Sequence, residues 1–357
     1  MKVVILSDKK PGHYKQSLGI VQNLPECETE WFEIQYKQKW RDNILRIFMC
    51  LIGWIIKPKS LIHVLLRWSL TTSTYHSVSR IQDADLILST GSSVAAVNLL
   101  LGKLLQAKSV TCRRPSPIGI GQFDLAILPM QSWNSAKYRN NVCKTIGVPN
   151  PISPDLLNSK RDDLKQLLYL RESPVIGILL GGTDPHETIT VEDAKKLHKT
   201  CDSAAKKSNV QILLTTSRRT PTDVSNYLKS KLVDVDWCPL FIEPDTPTAL
   251  DDPYQTILSV SDLLIVTADS FSMVCEAATS GRKVIVLSLT QKSWKQHKRY
   301  EVYRYMQDDA ILYVCNLKDL SQQIHRALTS QQQINILTDT EKAVNAIHRL
   351  LDNKRML

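Results

Sequence analysis

Several things are missing from this chain, and each absence removes a class of protein. There is no uninterrupted run of about 20 apolar residues; the longest candidate, Ile44 to Ile56, is broken by Arg46 and stops at Lys57-Pro58-Lys59, short of a membrane span. The first apolar run, Val3 to Leu6, is too short for a signal peptide and ends at Ser7-Asp8, so the chain is expected to start and stay in the cytoplasm. Its cysteines (Cys27, Cys50, Cys112, Cys143, Cys201, Cys238, Cys275 and Cys315) form no CxxC pair and no zinc spacing, which fits reduced thiols and no metal site. Neither GxxxxGK[ST] nor GxGxxG occurs among only 12 glycines, so a P-loop ATPase and an ordinary dinucleotide enzyme lack support. No block of consecutive basic residues forms a nucleic-acid arm, although the net charge of +10 favours an anionic partner. Nucleotide phosphate or a membrane surface suits that charge better than nucleic acid.

What the sequence does contain is a repeated alternation of short apolar runs and helical segments. Val3–Leu6, 31–35, 85–89, 109–112 and 123–128 read as strands, with helices from about Gln16 and over 94–105. Continuous apolar runs of this length are those of parallel strands buried on both faces. A Pro-rich link, Pro149-Asn150-Pro151-Ile152-Ser153-Pro154, interrupts the rhythm, and after one helix (155–169) the alternation restarts at 174–180, 210–215, 240–242, 263–266 and 284–289. A basic helix over 294–306 and two terminal helices follow. The expected architecture is α/β: two Rossmann-like domains facing across a cleft, 1–150 and 155–335, with a C-terminal helix in 336–357 packing back on the first.

Residues 43–70, NILRIFMCLIGWIIKPKSLIHVLLRWSL, depart from this pattern. They read either as a buried pair of core helices or as a surface that docks on an anionic membrane, with Trp54 and Trp68 at the interface and basic residues on the flanks.

Three loops of the second half follow successive strands, and in a parallel sheet such loops converge on one edge. The first supplies Gly181, Gly182, Thr183 and His186. The second supplies Ser217, Arg218 and Arg219. The third supplies Thr267, Asp269, Ser270, Ser272, Met273 and Glu276. Glycine backbone, hydroxyls, a guanidinium pair, a helix start and one carboxylate suit a diphosphate and a ribose. In the first half, Asp8, Lys9, Gly12, His13 and Gln16 line the first loop. A group transfer needs a base for the acceptor hydroxyl, and Asp8 and His13 are the candidates.

Together SDKKPGHYKQSLGI, GGTDPH, TTSRRTP and VTADSFSMVCEA, in this order, resemble the family named for a plant mitochondrial-fission (elongated mitochondria) protein. Its bacterial members are described as glycosyltransferases of the GT-B type, some linked to the lipopolysaccharide outer core. Lys9 and Lys15 stand where that family's first loop usually carries Gly and Asn. The resemblance implies that the second domain holds a nucleotide-sugar donor and the first holds the acceptor, through Lys9, Gly12 and Gln16 beside the catalytic Asp8 and His13. It implies no cofactor and no essential metal, since the nucleotide-sugar is itself a substrate. The expected activity is transfer of a sugar to a lipid-linked saccharide at the inner face of the cytoplasmic membrane. A nucleotide-sugar 2-epimerase and a non-catalytic membrane adaptor are the rival readings.

Overall fold

Among the described residues short segments, apolar and fully buried in the sheet centres and half-exposed at the edges, form twelve strands in two parallel sheets, and two further two-residue strands make a small ribbon. In the computed structural model, which describes residues 1–136, 139–291 and 298–355, the strands in chain order are β1 (Lys2–Ser7), β2 (Glu28–Glu33), β3 (Leu86–Thr90), β4 (Lys108–Cys112), β5 (Leu125–Pro129), β6 (Val142–Thr145), β7 (Val175–Leu179), β8 (Glu187–Thr188), β9 (Gln211–Thr215), β10 (Leu240–Ile242), β11 (Leu263–Thr267), β12 (Lys283–Ser288), β13 (Thr290–Gln291) and β14 (Tyr313–Asn316). One sheet runs β2-β1-β3-β4-β5-β6 and the other β10-β9-β7-β11-β12-β14. The remaining pair, β8 with β13, is antiparallel.

The chain divides into two units, Met1–Pro151 with Thr338–Leu357, and Ile152–Leu337. In the first unit, apolar side chains fill both faces of the sheet, Val4, Leu6 and Ile87 on one side and Val3, Ile5 and Leu88 on the other. The buried helix Ser92–Leu105 carries one polar core residue, Asn98. Its amide nitrogen donates to the carbonyls of Ile87 (3.1 Å) and Val110 (2.9 Å), joining β3 to β4. The C-terminal helix Asp339–Arg355 is fixed at its start, where Asp339 accepts the amides of Ile146 (3.0 Å) and Gly147 (2.6 Å). The core of the second unit is built from β7, β9, β11 and β12 against helices on both faces.

Some segments differ from expectation. The first helix starts at Pro11, not at Gln16 (Pro11–Gln22), because proline's missing N–H is harmless in a first turn and its fixed φ suits it. Gly12, His13 and Gln16 are therefore helical. The single helix expected over 155–169 is two, Pro154–Ser159 and Arg161–Leu167, broken at Lys160. The basic helix is observed as Arg299–Asp308; residues 294–297 lie outside the described residues.

The stretch 43–70 is both core and surface. It lies in the helices Lys39–Ile52 and Lys59–Ser69, joined by a short 3-10 turn. Leu45, Met49, Ile62 and Leu66 are buried in the first unit, whereas Ile44, Ile47, Leu51, Trp54 and Val64 are exposed, Leu51 and Trp54 by more than two thirds. Among the described residues no helix is long and apolar enough to cross a membrane.

Candidate functional site

Each sheet has one place where the strand order reverses, between β1 and β3 and between β7 and β11, and loops leaving such strands diverge to leave a crevice. The sequence-singled residues gather at these two places.

In the first unit, β1 ends in Ser7 and the chain turns through Asp8, Lys9 and Lys10 into the helix Pro11–Gln22. The His13 ring meets the Asp8 carboxylate through Nδ1, at 3.0 Å from Oδ1 and 3.1 Å from Oδ2. Ser93, at the start of the helix after β3, donates its hydroxyl to Asp8 Oδ2 at 2.7 Å, and Lys10 Nζ lies 3.1 Å from the same oxygen. Gly91 makes this approach possible: a Cβ there would come within 2.4 Å of the His13 ring, and its φ of +94° is one that side chains avoid. Burial pushes the Asp8 carboxyl up. The hydrogen bonds of His13 and Ser93 and the contact with Lys10 outweigh it, holding Asp8 well below the usual carboxylate range. Asp8, with its side chain 7% exposed, is thus a saturated acceptor, and Nε2 is the ring nitrogen left facing outward. Arg113, on the residue after β4, brings Nη1 to 3.4 Å from that Nε2.

Two residues expected to line this loop are held by other groups of the protein. Gln16 is buried, its side-chain amide donating to Gly12 O at 2.9 Å. Lys9 takes a left-handed φ of +66°, and its ammonium pairs with Glu33 at 2.7 Å.

In the second unit the three expected loops do converge. Gly181 N donates to Thr267 Oγ1 (2.6 Å), Gly182 N to Asp269 Oδ2 (3.0 Å) and Thr183 N to Arg219 O (2.9 Å). Gly182 is required because a Cβ would lie 1.9 Å from the Arg219 carbonyl. These amides hold loop to loop, so they are engaged rather than presented to a phosphate. The amides left for an anion are those of the helix Phe271–Thr279, whose N-cap Ser270 makes no side-chain cap hydrogen bond. Ser270, Ser272 and Met273 are partly exposed there. Beside them Arg219 Nη2 lies 2.8 Å from the buried carboxylate of Asp269. Burial raises Asp269, against the Gly182 amide, Thr267 and Arg219.

Arg218 does not join the cluster. It pairs with exposed Asp245 at 2.8 Å, so of two adjacent arginines only one turns inward. Glu276 is buried, beside Tyr254, rather than at the surface of the crevice; burial and the Glu276 charge push the Tyr254 hydroxyl well above its usual value. His186 donates its backbone amide to Asp184 Oδ1 at 2.7 Å, closing the first loop. Ser217 Oγ and Thr220 Oγ1, 3.2 Å apart, brace the second.

Sequence reasoning missed the cation beneath these loops. Arg299, 4% exposed, places Nη1 2.5 Å from Asp184 Oδ2 and 3.1 Å from Asp269 O, and Nη2 3.4 Å from Glu187 Oε2. The Tyr300 hydroxyl donates to the other Glu187 oxygen. Burial raises Asp184, but Arg299 and the amides of His186 and Glu187 bring it down to about 2. A lone Arg at the head of a helix carried no signal; only the apposition of two loops gives it meaning. Ser93 and Arg113 were missed for the same reason.

The sequence model of a family described as mitochondrial fission ELM1 matches residues 11–351. An uncharacterised protein of Rickettsia prowazekii is 23% identical over 249 residues, which is 60% of this chain and 67% of that one. Among solved structures, a UDP-N-acetylglucosamine 2-epimerase of Listeria monocytogenes is similar at TM-score 0.61 and 14% identity, over 100% of this chain and 97% of its own. The UDP-GlcNAc 2-epimerase of Neisseria meningitidis, bound to UDP-GlcNAc, is similar at 0.58 and 15%, over 100% of both chains. An Escherichia coli ADP-heptose lipopolysaccharide heptosyltransferase II is similar at 0.50 and 12%, over 99% and 100%. At these identities the likeness is one of fold: two Rossmann-like α/β domains of the GT-B type.

Proposed function

The chain belongs to the mitochondrial fission ELM1 family, and from that premise we propose that it is a glycosyltransferase that moves a sugar from a nucleotide-sugar donor to a lipid-linked envelope saccharide. The second unit holds the donor diphosphate at the uncapped start of the helix Phe271–Thr279, with Arg219 as the neighbouring cation. The first unit holds the acceptor. Asp8 orients the His13 ring through Nδ1, and His13 Nε2 takes the proton of the acceptor hydroxyl. The acceptor oxygen forms its bond to the anomeric carbon as the bond from that carbon to the donor phosphate breaks, and the nucleoside diphosphate leaves. Amides and Arg219 meet its charge; the step calls for no metal ion.

One observation favours this over epimerisation of a free sugar nucleotide, which needs no membrane. The exposed apolar row Ile44, Ile47, Leu51, Trp54 and Val64 is rimmed by exposed Lys39, Lys57, Lys59 and Arg67. Arg41 lies against the rings of Trp40 and Trp68, at 5.1 and 5.2 Å. The chain entering this row is tied to the dyad: Tyr36 donates to Ser93 O at 2.6 Å, and Ser93 donates to Asp8. An apolar face with a basic rim suits the cytoplasmic leaflet, each cation adding about 1 kcal/mol on anionic lipid. In this reading the protein is a cytoplasmic peripheral protein of that membrane.

Thermal melting with UDP, GDP, CMP, CDP and ADP tests the donor half. One nucleotide should stabilise saturably, and the effect should vanish in Arg219→Ala. Stabilisation by none of them would leave the adaptor reading in its place, and conversion of a sugar nucleotide without acceptor would mark an epimerase. Flotation with phosphatidylglycerol vesicles tests the membrane half. Leu51→Glu with Trp54→Glu should abolish co-flotation while stability stays within about 0.5 kcal/mol. Undiminished flotation would remove the row from this role.

A further inference from the structure

The mouth of the Asp8–His13 site is cationic. Lys9, Lys10, Arg113 and Arg114 are all exposed around it. Two carboxylates answer the lysines, Asp8 for Lys10 and Glu33 for Lys9. Arg113 brings Nη1 to 3.4 Å from His13 Nε2, the ring nitrogen that does not meet Asp8. Its backbone has φ +72°, a left-handed conformation that costs an arginine free energy and that glycine adopts freely. The turn is held by its own amide, which donates to Ile127 O at 2.9 Å. A guanidinium has donors only, so where it meets a neutral imidazole nitrogen it competes with any hydroxyl that needs this nitrogen as a base.

Resting on the acceptor reading of this site, we propose that the acceptor saccharide carries an anionic group, a phosphate or a carboxylate, next to the reacting hydroxyl, and that Arg113 binds it. The planar fork of the guanidinium matches either anion with two parallel hydrogen bonds. Drawn onto the anion, Arg113 leaves Nε2, and the neighbouring hydroxyl takes its place 2.6–3.2 Å from the base, roughly the reach proton transfer needs. An uncharged acceptor leaves Arg113 on the imidazole. Arg113 is therefore a specificity and positioning residue, and His13 remains the group that touches the reacting atoms.

The test is nuclear magnetic resonance on the full chain with ¹⁵N-labelled histidine, the His13 signals being assigned by their loss in His13→Gln. Inorganic phosphate, glucose 6-phosphate, glucose and phosphatidylglycerol vesicles are titrated separately at constant pH and ionic strength. Phosphate and glucose 6-phosphate should shift the His13 signals saturably, and glucose should not. Arg113→Gly should weaken the response at least tenfold without lowering the melting temperature, since glycine relieves the left-handed backbone. No response to either phosphate, an equal response to glucose, or a response that survives Arg113→Gly would overturn the proposal. So would a response to vesicles alone, which would make the anion a lipid headgroup. The titration uses neither donor nor turnover, so its failure leaves the transfer reading standing, and failure of nucleotide binding would be read separately.

Discussion

The two strand-order reversals are built on the same plan and finished with opposite chemistry. Between β1 and β3 the loop ends carry an ionisable pair, His13 on Asp8, in a crevice kept open by Gly91 and rimmed by exposed cations. Between β7 and β11 most of the charge is driven inward: Asp269, Glu187 and Arg299 are almost wholly buried, and what faces outward is a helix start with small hydroxyl side chains beside Arg219. In the proposed reading the first crevice moves a proton and so keeps a titratable ring within reach of its substrate, and the second holds a diphosphate with fixed dipoles that buried ion pairs keep in place.

That contrast can be broken in measurable ways. His13→Gln should lower the transfer rate by about 10²–10⁴-fold while leaving the nucleotide-induced rise in melting temperature intact; a loss of nucleotide binding would mean that the two sites are not chemically separate. Arg299→Met strands Asp184 and Glu187 without their cation and should cost about 3–5 kcal/mol of stability. Calorimetry should also show nucleotide stabilisation lost, whereas the His13 ring signals should be unchanged. The smallest effect concerns acid. Asp184 is held at about 2 when folded, below its unfolded value near 3.9, so its contribution is complete above about pH 4 and is lost as pH falls towards 2. Glu187 and Asp269 are shifted upward by burial and act in the opposite sense. The difference in unfolding free energy between the native chain and Asp184→Asn, from denaturant titrations between pH 6 and pH 2, isolates the Asp184 part. It should amount to about 1 kcal/mol at pH 6 after allowance for solvent screening and shrink towards zero.

Much of the fold was legible because a parallel strand covered on both faces has to be apolar at every position. β3, β5, β7, β9 and β11 are therefore visible as continuous runs, and the loops that follow them can be named in advance. Two strands of the parallel sheets went unread, β6 and β14, which lie at sheet edges, are half-buried and alternate weakly; the two-residue strands β8 and β13 are too short to leave a pattern. Residues 43–70 resisted assignment because one helical face serves the core and the other the surface, and apolar composition alone cannot separate the two.

The sequence by itself determined the two α/β halves, the link between them and the loops that matter, since these follow from local pattern and from the requirement to bury apolar strands. It also named both members of the dyad, which lie five residues apart on one turn. Only the tertiary structure decided what each loop residue does. Arg218 and Arg219 are chemically identical neighbours, yet one faces Asp245 in solvent and the other Asp269 in the interior. Asp8 and His13 are equal candidates for the base on sequence alone; Ser93, brought from 85 residues away, donates to the Asp8 carboxylate, and that contact is why the proposed reading gives the base to His13. Arg113 and Arg299 reach their sites from 100 and 115 residues away in the sequence. Strand order sets such distances, and strand order is fixed by which apolar faces pack together, a property of the whole sheet that no single stretch of sequence carries.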